Sequence, residues 1–133
     1  MQRNDLSNQA PPLLAFSLER VICENVKSNI WGTKVEINKQ HVGAINNLYW
    51  TNFKVVYLTF SVPTRRLDKV EEILDNAGCM YHGLIRYEKL EDLLFFFRQH
   101  SAAYYYDTDK GLIDRLYPFG FLWQESLVQV WNK

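Results

Sequence analysis

The segment Leu13-Leu14-Ala15-Phe16-Ser17-Leu18-Glu19-Arg20-Val21-Ile22-Cys23 constrains this chain more than any other. An unbroken apolar run, Leu13 to Phe16, meets the polar pair Ser17-x-Glu19, and apolar residues resume at once. A run without polar alternation suits a parallel strand covered on both faces. The polar turn that follows then falls at the strand's carboxyl end. Residues 1–12 are polar, carry no apolar period and close on Pro11-Pro12. They predict a flexible N-terminal tail that stiffens only at the entry to the strand, leaving 13–133 as a single domain.

The remaining pattern alternates strands with helices. Residues 24–36 are mixed and read as a loop with room for a small hairpin flap. Ile37, Val42, Ile45 and Leu48 predict a helix over Lys39–Trp50, with Asn38 as its N-cap and Thr51-Asn52 as its end. Val55-Val56-Tyr57-Leu58-Thr59-Phe60 is the clearest strand, rich in β-branched and aromatic residues. Ser61-Val62-Pro63-Thr64 turns it into a helix whose stripe is Leu67, Val70, Ile73, Leu74 and Ala77, stopped by Gly78. Leu84-Ile85 predicts a short third strand and Lys89–His100 a third helix. Ala102–Tyr106 predicts a fourth strand ending at Asp107-Thr108-Asp109, with a short helix over Gly111–Leu116. Pro118 and Gly120 break the chain before an expected last strand at Leu127–Trp131. This order predicts a three-layer, Rossmann-like α/β domain around a central, mostly parallel sheet. Function in such sheets gathers at the carboxyl ends of the strands. Ser17/Glu19, Thr59/Ser61 and Asp107/Asp109 all fall at such ends.

Composition narrows the function classes. Fifteen basic and 15 acidic residues leave a formal net charge of zero, so no strong basic field exists to hold nucleic acid. Cys23 and Cys79 form neither a CxxC pair nor a zinc spacing, and are expected to be reduced, packed thiols. His41, His82 and His100 show no metal spacing. There is no signal-peptide pattern and no apolar run near the roughly 20 residues of a membrane span, so a soluble, cytoplasmic protein is expected. Aromatic content is high, and Phe95-Phe96-Phe97 cannot all point inward from one helix. At least one of the three must face solvent or a partner.

The polar strand ends resemble the motifs of the haloacid dehalogenase-like (HAD-like) phosphohydrolase superfamily. Its first motif is an apolar strand followed by Asp-x-Asp-Gly. Here those three positions are Ser17, Glu19 and Arg20. Thr59 matches the phosphoryl-binding Thr or Ser of the second motif, and the helix from Leu67 to Ala77 looks like the helix after it. Lys89 is the best match to the third-motif Lys. Asp107 and Asp109 match the paired acids that hold magnesium in the fourth. The segment between the first two motifs is too short for a large cap domain, so the resemblance is to small, capless members.

The resemblance implies the fold more than the chemistry. The family's nucleophile is a carboxylate, and Ser17 is a hydroxyl with no His nearby in sequence to activate it. Glu19 is longer than the Asp it replaces, and Arg20 replaces a Gly that lets backbone approach a ligand. A catalytically inactive, protein-binding regulator or inhibitor is therefore expected, of a compact kind that suits a phage or mobile element. Ser17, Glu19, Thr59, Lys89, Asp107 and Asp109 would be its vestigial site. No cofactor is expected, with Mg2+ at Asp107 and Asp109 if the site is still active. The rival readings are a magnesium-dependent phosphatase or nucleotidase with altered motifs, and a non-catalytic nucleotide- or phosphate-binding module using Thr59, Ser61 and Lys89. Glu19 and Arg20 read as a solvated turn pair, Arg65-Arg66 as solvated, and Asp107 and Asp109 as caps of the following helix. Phe95, Phe96, Phe119, Phe121 and Trp123 are the candidate partner contacts.

Overall fold

The computed structural model describes residues 13–29, 31–99, 103–116 and 122–124. Strand β1 (Leu13–Ser17) is buried throughout, as its unbroken apolar run requires. It pairs in parallel with β4 (Lys54–Thr59) on one side and with β6 (Ala103–Tyr106) on the other. Strand β5 (Gly83–Arg86) extends the sheet beyond β4, and β7 (Leu122–Gln124) extends it beyond β6. All these pairings are parallel, in the order β5-β4-β1-β6-β7. The chain builds outward from β1 through β4 to β5, then crosses to the other side of β1. The switch point of the sheet therefore lies between β1 and β6, the place where sheets of this kind bind ligands outside the strand ends.

Alternation along the strands divides the core into two layers. Leu14, Phe16, Val55 and Tyr57 pack with Val42 and Ile45 of α1 (Lys39–Trp50) and with Val70 and Leu74 of α2 (Leu67–Asn76). Leu13, Ala15, Val56, Leu58 and Tyr105 pack with Leu93, Leu94 and Phe97 of α3 (Leu90–Arg98) and with Leu112 of α4 (Lys110–Leu116). Helices thus cover both faces, giving the three-layer Rossmann-like α/β arrangement. Tyr105 and Tyr106 are both buried, on opposite faces, and the Tyr106 ring stacks on Phe16 with centroids 4.8 Å apart.

Helix α1 has the boundaries expected of it, and Asn38 Oδ1 accepts from the His41 backbone at 3.1 Å as N-cap. Gly78 takes φ +85° just past α2, a conformation that costs glycine little. The segment after β1 is more ordered than a loop. Leu18–Ile22 forms a single π-helical turn, and β2 (Cys23–Asn29) pairs antiparallel with β3 (Gly32–Ile37) as a hairpin. Val26, Val35 and Ile37 seat this hairpin against the core. The expected strand at Leu127–Trp131 lies outside the described residues. Strand β7 lies where only a chain break after Pro118 and Gly120 was expected.

Phe97 is buried, Phe95 is 64% exposed, and the Phe96 ring packs edge-on against Phe97 at 5.4 Å. One of the three faces solvent, as the crowding requires. Phe96, expected beside it on the partner surface, is instead half-buried against the core. Phe119 and Phe121 lie outside the described residues, and Trp123 falls within β7. Among the described residues, no helix is long and apolar enough to cross a membrane.

Candidate functional site

Ser17, Thr59 and Asp107 are the buried polar residues of the described core, and each sits at the carboxyl end of a central strand. The π turn brings two more charges to the same place. Ser17 Oγ accepts from the Arg20 backbone N–H at 3.2 Å, and the Cys23 N–H closes the turn on the Leu18 carbonyl. The wide turn sends Glu19 toward β4 and Arg20 toward β6.

Glu19 is fastened to the end of β4. Its Oε2 accepts from the Thr59 hydroxyl, from Ser61 Oγ at 2.5 Å and from the Ser61 backbone at 3.2 Å. Its Oε1 is buried without a hydrogen-bond partner. The Val62 backbone donates to Thr59 Oγ1 at 3.4 Å. Thr59 and Ser61, both candidate ligand contacts, are thus spent on an internal carboxylate.

Arg20 is fastened to the end of β6. Its Nε donates to Asp107 Oδ1 at 2.6 Å and its Nη2 to Asp107 Oδ2 at 3.0 Å, a bidentate pair. Asp107 is wholly buried and also accepts from the Tyr105 hydroxyl at 2.6 Å and from the backbones of Thr108 at 2.7 Å and Asp109 at 3.1 Å. Burial alone would lower the Arg20 pKa, but the hydrogen bonds and charge of Asp107 outweigh it and raise it. Burial, reinforced by the negative charge of Asp107, pushes the Tyr105 phenol well up. The Arg20 guanidinium also lies 4.8 Å from the centroid of the Phe60 ring, a cation–π contact.

These contacts correct the reading of Glu19 and Arg20 as a solvated turn pair. The physical reason is the buried Asp107 carboxylate, which needs a cation, and Arg20 supplies one from 87 residues away. The capping expectation divides between the two acids. Asp109 caps α4, its Oδ1 accepting from the Leu112 backbone at 3.1 Å. Asp107 instead holds Arg20. Arg65 is solvated as expected, whereas Arg66 donates through Nη2 to the Asn29 carbonyl at 3.1 Å and ties α2 to the hairpin.

A groove of about 530 Å³ opens beside this network, lined by Arg20, Phe60, Tyr87, Lys89, Asp109 and Arg115 among others. Lys89 stands at the N-terminus of α3 and is the one ligand candidate that faces it. Phe60 and Tyr87 were not singled out by sequence. Phe60 closes the strand run before the turn, and Tyr87 follows β5, so strand-end position was their available signal.

The donor set does not fit magnesium. Both Asp107 oxygens are taken by Arg20, Tyr105 and backbone N–H groups. Asp109 spends Oδ1 on its cap and places Oδ2 4.0 Å from Arg20 Nη1. A guanidinium already neutralises the carboxylate that a hard, oxygen-seeking cation would need. Among the described residues, no three His, Cys, Asp or Glu side chains gather as a metal-ligand group. Neither described histidine bonds Ser17. His41 Nδ1 bonds the Val21 carbonyl at 2.8 Å, and His82 Nδ1 accepts from the Val55 backbone at 3.0 Å.

No protein-family model matches the sequence, and no curated protein matches it. Among solved structures, the crystal structure of a hypothetical protein from Xanthomonas campestris is similar, with a TM-score of 0.56 and 13% identity. The match covers 92% of this chain and 69% of that one. At that identity the likeness concerns the fold alone, and the fold is a Rossmann-like α/β domain.

Proposed function

We propose that this chain is a HAD-like domain that has given up phosphoryl transfer and acts as a protein-binding regulator or inhibitor. One observation carries the loss of catalysis: the polar groups at the ends of β1, β4 and β6 bond one another. Arg20 saturates Asp107, Thr59 and Ser61 hold Glu19, and Ser17 Oγ accepts from the Arg20 backbone. A nucleophile needs an adjacent base or a lowered pKa, and the hydrogen bond at Ser17 Oγ comes from the Arg20 backbone N–H rather than from a base. Binding through aromatic side chains is supported by Trp31, Trp50 and Phe95, which remain largely exposed. Exposed aromatics of this kind are favoured anchors in protein interfaces.

The groove beside Arg20 favours a second reading, a module that holds a small anionic ligand against Lys89 and Arg115 without turning it over. The two readings separate by variant: Lys89→Ala and Arg115→Ala would abolish function in the second and spare it in the first. The catalytic question is settled by steady-state assays. The purified protein should show no turnover of p-nitrophenyl phosphate or nucleotides with magnesium above that of Ser17→Ala. Turnover that disappears in Ser17→Ala would establish an enzyme and overturn the proposal.

A further inference from the structure

The tip of the β2–β3 hairpin lies apart from the sheet-end site and carries its own chemistry. Trp31 is 88% exposed, more than any other large apolar side chain described. Its position is nonetheless held. The Trp31 backbone donates to Asn29 Oδ1 at 2.8 Å, and the Asn29 carbonyl accepts from Arg66 of the turn before α2. Ser28 and Thr33 hydroxyls bond across the hairpin at 3.0 Å. Gly32, at φ +144°, allows the reversal that a side chain would strain.

The charges at this tip are poorly arranged for the free protein. Lys27 and Lys34 are directly opposite in the antiparallel register, and both are exposed. Like charges in that position repel and destabilise the pair. Glu36 approaches Lys34 at 3.7 Å, but both side chains are well solvated and such pairs contribute little. Lys27 has no ion-pair partner among the described residues. The two lysines, with Asn29, Trp31, Gly32 and Thr33, border a hollow of about 270 Å³.

From this arrangement we infer that the hairpin tip is a docking site for an acidic segment of a partner protein, seated between Lys27 and Lys34 with an apolar side chain covering Trp31. The inference rests on the protein-binding reading above and names the surface and the partner's chemistry. Carboxylates relieve the lysine repulsion, and an apolar group removes exposed indole from water. Nucleic acid fits less well. Its binders commonly neutralise several phosphates and stack successive bases on several rings, whereas this tip offers two lysines and one ring. A membrane surface would require a broader apolar face.

The test is a titration of the full chain with a short synthetic peptide of glutamates around a central Leu-Phe pair. The controls are the same peptide with Gln for Glu, an oligothymidylate, and vesicles containing phosphatidylserine. The acidic peptide should bind with a Kd of micromolar order and weaken at least about tenfold when Glu becomes Gln. Trp31→Ala should weaken it about tenfold or more, and Lys27→Gln and Lys34→Gln about threefold each, while Lys54→Gln, at the exposed start of β4, leaves it unchanged. Trp31 is so exposed that its truncation should leave the circular dichroism spectrum intact. Absence of saturable peptide binding, or equal binding of the Gln peptide, would overturn the inference. Tighter binding to oligothymidylate or to vesicles would overturn the partner class. Peptide binding lost in Phe95→Ala but kept in Trp31→Ala would move the site to α3 and leave the protein-binding reading standing. Phosphatase turnover would sink that broader reading without touching the hairpin result.

Discussion

Replacing Arg20 with Ala is expected to cost the domain about 3–5 kcal/mol of stability, toward the lower end because 24% of the Arg20 side chain meets solvent. The loss comes from Asp107 rather than from Arg20. The carboxylate is 0% exposed and loses its bidentate guanidinium, keeping among the described residues the Tyr105 hydroxyl and two backbone N–H groups. In a domain of this size that loss corresponds to a fall in Tm of roughly 10 °C. The reverse change, Asp107→Asn, should cost less, about 1–3 kcal/mol, because the freed guanidinium can turn outward into water while the amide keeps part of the network. The double variant should be less destabilised than the sum of the two singles, with a coupling of about 0.5–3 kcal/mol. Thermal melts of the three variants check this. An Arg20→Ala protein within about 0.5 kcal/mol of wild type would show that the pair contributes nothing beyond an ordinary surface contact.

The second large effect is expected at high pH. Burial pushes the Cys23 thiol up from its usual 9.0 to about 12, and the Cys79 thiol up to about 11. Burial also raises the Tyr57 phenol, which lies beside Cys79. An unfolded chain would ionise these thiols near pH 9, whereas the folded chain keeps them protonated for two or three units more. Over that window the folded state binds more protons than the unfolded one, so stability falls as pH rises. The contribution is fully present below about pH 9 and is lost through pH 11–12. The slope is about 1.4 kcal/mol per pH unit for each thiol. By pH 11 the two thiols together would remove about 5 kcal/mol of the roughly 5–15 kcal/mol that a domain of this kind has in hand, so a large fall in Tm is expected there. Melts of the wild type at pH 7, 9, 10 and 11 read the slope directly. Cys23→Ala and Cys79→Ala should each flatten it, after a modest loss at neutral pH. A Tm that stays constant from pH 8 to 11 would contradict the burial of both thiols.

Much of the fold was legible because local signals agreed. Helix α1 declared itself by an apolar period and by Asn38, whose side chain caps it as the pattern implies. Strands β1 and β4 declared themselves by unbroken apolar runs, which suit the centre of a parallel sheet. The hairpin was harder to read. Its period-two alternation runs through half-buried residues and is disturbed by a register shift between Cys23 and Asn25. The π turn had no signal of its own, because its shape depends on what Glu19 and Arg20 reach.

The candidate site was half legible. Strand ends pointed to Ser17, Thr59 and Asp107, and these are the polar residues found buried there. What those groups do was not readable, since the decisive pairing joins residues 87 apart in the chain. Arg20 in place of Gly, and Glu19 in place of Asp, were read as losses to a catalytic motif. The structure gives each of them a use: Glu19 joins the π turn to β4 and Arg20 joins it to β6. A long acid and a long base span distances that the shorter residues would leave to a ligand or an ion.

The most direct test of this account is whether the Asp107 carboxylate is free to take a divalent cation. Calorimetric titration of the wild-type protein with magnesium, repeated while the Asp107 side-chain carboxyl is followed by NMR, measures this. The account predicts no saturable heat and no movement of the Asp107 resonance at millimolar magnesium, because the guanidinium of Arg20 holds that position. A Kd below about 100 μM, equivalent to roughly 5.5 kcal/mol, with the Asp107 resonance shifting in step, would show a working cation site and contradict it.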